Sequence, residues 1–197
     1  MKHLGIFLFE GVEVLDFAGT FEVFSVASQL SDYSILKVFT FGADDSLIRT
    51  KNGLLVTPDF GLTHVPKMDY LVIPGGDGTK RVLKNQELLN ELQKLIQESL
   101  WTMSVCSGSR ILGKTGFLNG KLYCTHHEVF ESMEEIVPDG IPMHELRFVK
   151  SDEKIWTAAG ISAGIDLALH LLEGTFGDKL ALQTSEYMEY LPYLNCK

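Results

Sequence analysis

Short, continuously apolar runs alternate with helix-patterned segments along this chain, and that alternation limits its possible folds more than any other feature. The runs "HLGIFLF" (3–9) and "DYLVIPGG" (69–76) have the length and continuity of strands buried on both faces. "VLDFAGTFEVFSVASQL" (14–30) instead spaces Leu15, Ala18, Phe21, Val26 and Leu30 at helix-like intervals, with Gly19 as a candidate break. Further strands are read over 34–42, 101–106 and 121–127, and helices over 87–100, 107–118, 162–177 and 178–191. Asn52-Gly53 marks a hairpin within 47–60, and Ser151-Asp152 another within 144–160. Such β/α alternation implies an α/β fold, a parallel sheet with helices on both faces. Sites in these sheets form at the carboxyl ends of the strands. Glu10-Gly11, Gly75-Gly76 and Cys106 fall there.

Composition narrows the function classes. The 197 residues suit one domain, 1–197, and 45% hydrophobic residues suffice for a core. A net charge of -9 without a basic cluster argues against a nucleic-acid partner, because phosphates need grouped Lys and Arg. No run approaches the ~18 apolar residues that span a bilayer, so no membrane partner is expected. The first residues, "MKHLGIFLFEGVEV", are too briefly apolar for a signal peptide. Cys106, Cys124 and Cys196 cannot all pair within one chain, and free thiols suit a cytoplasmic protein. No Cys/His spacing matches a zinc site, and neither metal nor cofactor is expected.

The stretch "TMSVCSGSRILG" (102–113) places Cys106 between Ser104 and Gly108. A nucleophile elbow turns sharply from strand to helix and tolerates only small residues two before and two after its apex. Cys106 at such an apex also lies at a helix N-terminus, where the dipole favours thiolate. The competing reading is a buried structural cysteine, the commoner fate of free Cys. Gly75-Gly76 ends a neighbouring strand. The backbone N–H groups of Gly76 and Ser107 are therefore candidates for an oxyanion hole, though Pro-Gly-Gly is also an ordinary tight turn.

"DYLVIPGG", "SVCSGSRILGKTGFLNGK", "TH" and "IWTAAGISAGIDLALHLL" occur in the order seen in the ThiJ/PfpI superfamily, which is class I glutamine amidotransferase-like. "FEGVEVLDFAGTFEVF" resembles the N-terminal signature of its isonitrile hydratase-like branch, which also resembles the N-terminal half of some AraC-type regulators. The resemblance runs from residue 3 to about 180. It implies a flavodoxin-like three-layer sandwich, usually a homodimer, with Cys106 as the elbow nucleophile. It implies that Asp16, within "VLDFAG", is the acid at the cysteine; Glu13 and Glu22 match that position less well. Ser107 keeps the hydroxyl that often follows the nucleophile. Thr125-His126-His127 lacks the usual Trp, and Gly19-Thr20 stands where Gly-Pro is usual.

An acid beside a thiol either donates to a thiolate or, ionised, accepts the thiol's proton; the two groups then titrate as a pair. His126 is a candidate acid/base, although a histidine at a strand end is often only hydrogen-bonded, and His127 is the weaker candidate. The expected function is cysteine-dependent chemistry on a small electrophilic substrate, in first place hydration of an isonitrile to an N-substituted formamide. The alternatives are glyoxalase, deglycase or amidase chemistry, and a small-molecule or redox sensor without catalysis. An intracellular protease ranks below these. The chain's end at Lys197 leaves no room for a DNA-binding domain, which weighs against a regulator. A homodimer is expected from the resemblance and from the aromatic elements around Phe17, Phe21 and Phe24.

Overall fold

The computed structural model describes residues 1–190. In chain order its elements are β1 (Lys2–Phe7), α1 (Val14–Leu30), β2 (Leu36–Gly42), β3 (Ile48–Arg49), β4 (Leu55–Val56), β5 (Phe60–Gly61), β6 (Tyr70–Ile73), α2 (Thr79–Val82) and α3 (Gln86–Glu98). Then come β7 (Trp101–Ser104), α4 (Ser109–Lys114), β8 (Leu122–Tyr123), α5 (Phe130–Ile136), β9 (Ile141–Pro142), β10 (Phe148–Lys150), β11 (Ile155–Ala158), α6 (Ala163–Phe176) and α7 (Asp178–Tyr187).

The main sheet has seven strands in the order β10-β11-β7-β6-β1-β2-β5, all parallel except the antiparallel β10. Helices α1, α6 and α7 pack on one another as one layer; α2, α4 and α5 pack together as another. This is the expected α/β architecture. It follows from strands such as β6, buried at all four positions, which leave no face for water. Helix α3 shows the opposite logic. It buries Leu88, Leu89, Leu92 and Ile96 on one stripe, and Asn85 caps it by accepting the Leu88 N–H at 3.1 Å.

The chain leaves β1 for β2 on one side and returns to β6 on the other. The carboxyl ends of β1, β6 and β7 therefore meet at a switch point, where such sheets hold ligands. Register levels these ends: Ile73 pairs with Ser104, and Thr157 with Ser104 from the far side.

Several expectations are corrected. Helix α1 runs unbroken through Gly19, which serves close packing instead: a Cβ there would sit 3.0 Å from Ile165 of α6. The strand expected over 121–127 shrinks to β8, paired with β9 in a separate two-stranded sheet. The helix expected over 107–118 is a 3-10 turn, Cys106–Gly108, followed by the six-residue α4. The hairpins at Asn52-Gly53 and Ser151-Asp152 both form, the first turning at Gly53 with φ +95°. Phe17 and Phe24 lie in the chain's own core, Phe24 against Trp101 at 5.7 Å between ring centres, and Phe21 is half-buried. They supply little assembly surface, so the aromatic argument for a dimer falls away. No helix among the described residues is long and apolar enough to cross a membrane.

Candidate active site

Beyond β7 the chain passes Val105 and doubles back at Cys106, whose φ is +56°. A residue with a Cβ adopts this conformation only where its surroundings impose it. Here the Cys106 N–H donates to the Ala159 carbonyl at 2.9 Å, and the Val105 N–H to the Ile73 carbonyl at 3.0 Å. The Cys106 carbonyl accepts from Thr125 Oγ1 at 3.0 Å, and Ser109 donates to that hydroxyl at 2.8 Å. Ser104 is fully buried, and a Cβ on Gly108 would strike the Ile73 carbonyl oxygen. Both small positions of the elbow are therefore sterically required. Cys106 itself is 7% exposed.

Asp16, in the first turn of α1, is wholly buried. Its Oδ2 accepts the Gly75 N–H at 2.8 Å. The carboxyl and the Cys106 thiol act on each other electrostatically, while Asp16 Oδ1 has no hydrogen-bond partner. Burial, against the Gly75 hydrogen bond, raises the Asp16 carboxyl to about 7. Burial first, and the Asp16 carboxylate second, push the Cys106 thiol up to about 12. Both shifts resist negative charge, so the resting pair keeps its proton and keeps it on sulfur. The helix-end argument for a resting thiolate is thus outweighed: α4 is short, and the carboxylate is nearer than any dipole benefit.

The backbone N–H groups of Ser107 and Ile161 oppose the rise of the Cys106 thiol, because they favour negative charge on sulfur. The expected partnership of Gly76 and Ser107 is only half present. The Gly76 N–H donates to Ser107 Oγ at 2.9 Å, and that hydroxyl returns a bond to the Gly76 carbonyl at 3.1 Å. Ile161 is the second backbone group that favours charge on the sulfur. Its φ of +51° is an outlier for a β-branched residue, so two strained residues border the same cavity.

His126 is half-buried beside the cavity. Its ring fills the space that a Cβ on Gly160 would occupy, and its Nδ1 accepts the Glu128 N–H at 3.3 Å. Burial, then the neighbouring His127, lowers its pKa, which favours the neutral ring with the proton on Nε2. His127 is exposed and stacks on His126 at 4.2 Å between ring centres. Of the other acids, Glu13 borders the cavity and pairs with Lys51 at 3.6 Å, whereas Glu22 is exposed further along α1. Among the described residues no three His, Cys, Asp or Glu side chains converge as metal ligands.

Cys106, Ser107, Gly76, Ile161, His126 and Glu13 line a cavity of about 140 Å³ that also takes in Arg110; Asp16 lies behind them, outside its lining. A hollow of about 700 Å³ near Asn85 and Lys94 is larger, but no cysteine, serine, threonine or histidine among the described residues borders it and its Lys94 is exposed and paired with Glu91, so chemistry rather than size identifies the site. Sequence reasoning missed Ile161 and Arg110. Arg110 had a signal: it interrupts the otherwise apolar stretch "RILG" one helical turn after the cysteine.

Gly75 is required by contact rather than by φ. A Cβ there would lie 2.5 Å from the Ser107 N and 2.9 Å from Asp16 Oδ2. Gly75→Ala is expected to part Asp16 from Cys106 and to cost roughly 1–3 kcal/mol of stability by overpacking. Denaturant melts combined with Cys106 labelling would check this; unchanged values for both would refute the geometry.

Comparison with known proteins places the whole chain rather than the site. The model of the DJ-1/PfpI family matches residues 2–174. An isonitrile hydratase of Pseudomonas putida is 28% identical over 190 residues, 96% of this chain and 79% of the hydratase. The HTH-type transcriptional regulator GbdR of Pseudomonas aeruginosa is also 28% identical, over 96% of this chain but only 51% of the regulator. Among solved structures, a ThiJ/PfpI family protein from Pseudomonas syringae superposes with a TM-score of 0.86 at 25% identity, covering 96% of this chain and 75% of the other. With 173 residues matched, from 2 through 174, the chain belongs to the DJ-1/PfpI family.

Proposed function

We propose that this protein is a cysteine-dependent enzyme acting on a small electrophile, in first place an isonitrile hydratase. One observation carries the reading: a strained, nearly buried Cys106 faces Asp16, a carboxyl whose raised pKa makes it a base poised near neutral pH. In the proposed cycle the thiol proton passes to Asp16 as sulfur bonds to the terminal isonitrile carbon. That proton then completes the C–H bond, giving a thioimidate. Water adds to the same carbon, the sulfur leaves and recovers a proton, and the product is an N-substituted formamide. The sum is isonitrile plus one water. The N–H groups of Ser107 and Ile161 hold charge that develops on sulfur. His126 Nε2–H is a proposed donor to the substrate nitrogen.

Purified protein offered small isonitriles, methylglyoxal and small amides in parallel tests this choice. Formamide release is expected from isonitriles alone. Turnover of methylglyoxal or amides instead would replace the reaction while keeping the nucleophile. The likeness to a regulator favours one second reading, a ligand-sensing module. It predicts saturable binding of a small electrophile with no product. A homodimer is the proposed assembly, resting on family likeness.

The thiols provide a further check. Cys124 is fully buried, its Sγ 3.5 Å from the Met143 and Leu146 carbonyls, and burial pushes its thiol up to about 11. Cys106 has a base beside it and a path to the cavity. Timed iodoacetamide labelling read by mass spectrometry is therefore expected to modify Cys106 at least ~10-fold faster. Equal rates would remove the case for activation. Cys196, expected to label as an ordinary thiol, lies outside the described residues.

A further inference from the structure

Arg110 is 8% exposed, and its hydrogen-bond partners are all neutral; Asp77 and Cys106 act on it only at longer range. Nε and Nη2 donate to Ser132 Oγ at 3.1 and 2.9 Å, and Nη1 to Thr79 Oγ1 at 3.3 Å. Those hydroxyls spend their own hydrogens on backbone carbonyls, of Val129 and Gly76. They hold the guanidinium in place as acceptors but do not neutralise it. Among the described residues no carboxylate forms an ion pair with it. Three of its five N–H donors are used, and the residue borders the Cys106 cavity.

A buried, unneutralised cation is expensive, and proteins keep one where an anion comes to meet it. The cavity is also lined by Lys80 and by three acids, none of which ion-pairs with Arg110: Glu128 lies by His126 and His127, and Asp77 acts on the guanidinium only at longer range. Asp16 is held by the Gly75 N–H, and Glu13 is matched with Lys51. Asp77 lies at the exposed rim, 3.9 Å from Lys51. The rim charges are solvated and screened, whereas the buried guanidinium acts at low dielectric and dominates inside the cavity. About 140 Å³ is the liquid volume of roughly four or five waters, room for a handful of non-hydrogen atoms.

We infer that the ligand of this cavity is a small carboxylate-bearing electrophile, its carboxylate held in the fork of Arg110 and its reactive carbon set against Cys106 Sγ. The electrophilic half of that statement rests on the proposed function; the anionic half rests on Arg110 alone. A planar guanidinium offering adjacent N–H donors suits a carboxylate better than it suits any neutral group of the same shape.

Alkylation with a charged and a neutral reagent of nearly the same size tests the charge without any turnover. Iodoacetate and iodoacetamide are applied to the native protein, and the rate ratio at Cys106 is compared with the ratio at the same cysteine in the urea-unfolded chain. The native ratio is expected to favour iodoacetate by about 10- to 100-fold relative to the unfolded one. Arg110→Met should remove that preference, and Arg110→Lys, which keeps the charge but loses the fork, should retain part of it. A native ratio equal to the unfolded ratio overturns the inference even if no variant folds. Equal slowing of both reagents in Arg110→Met also overturns it, because Arg110 would then be tuning the thiol rather than binding an anion. Turnover of isocyanoacetate against its methyl ester tests the reaction separately. An iodoacetate preference with neither isonitrile converted would sink the hydratase reading and leave the anion site standing.

Discussion

Replacing Cys106 by serine is expected to lower turnover of an isonitrile by at least ~10³-fold while leaving the fold in place. Serine is close to isosteric, so the hydrogen bonds that impose the left-handed elbow persist: Cys106 N–H to Ala159, and Thr125 to the Cys106 carbonyl. What changes is the acidity and polarisability of the attacking atom. A hydroxyl is a far weaker acid than a thiol, and a carboxylate with a pKa near 7 is too weak a base to deprotonate it. Losses of this size are usual when a nucleophile is removed from an otherwise intact site. Single-turnover kinetics paired with thermal melts would decide the matter. A variant that keeps a tenth of the activity, with an unchanged melting temperature, would mean that water attacks directly and that Cys106 only shapes the pocket.

The fold was legible because its signals are local and strong. Four consecutive buried apolar residues in β6, or the stripe of α3, leave few alternatives. The elbow was legible for a related reason, since only small residues fit beside its apex, and Ser104 and Gly108 show it in the sequence. Asp16 came from resemblance. A lone carboxylate in an apolar helix carries no mark of where its side chain goes, and its burial depends on Gly75 arriving from β6, a strand remote in sequence. Gly19 misled because glycine weakens a helix by propensity, yet close packing of α1 on α6 prevails here. The donors at sulfur were half legible. Ser107 follows from the elbow itself, whereas Ile161 borders the cavity from a left-handed turn before α6, which nothing in "AAGISAG" announces. Arg110 was visible as an arginine among apolar residues, but its lack of an acidic partner is a fact of three dimensions.

Asp16→Asn is expected to trade activity for stability, and the sign follows from the raised carboxyl. Asp16 rises from an ordinary 3.8 to about 7 on folding, so between those values the native state holds a proton that the unfolded state has released. Stability from this group is complete below about pH 4 and is lost as pH rises towards 7. At pH 8 the wild-type protein therefore carries a buried carboxylate that costs on the order of 4 kcal/mol relative to its neutral form. The asparagine amide is neutral at every pH and its oxygen still accepts the Gly75 N–H. Its NH2 group faces the thiol and returns ~1–3 kcal/mol of that gain as an imperfectly paired donor. The variant should consequently melt higher than wild type at pH 8, by several degrees at ~2–4 °C per kcal/mol, and the order should reverse as pH falls to 4, where the carboxylate cost is gone and the imperfectly paired amide remains. Turnover should drop by ~10²–10⁴-fold with the loss of the base, and Cys106 labelling should lose its rise near pH 7. Parallel melting curves from pH 4 to 8 would show that Asp16 is an ordinary carboxylate in the folded protein. Undiminished turnover would pass the role of base to Glu13, the one other acid bordering the cavity that lies close enough to raise the Asp16 and Cys106 pKa values.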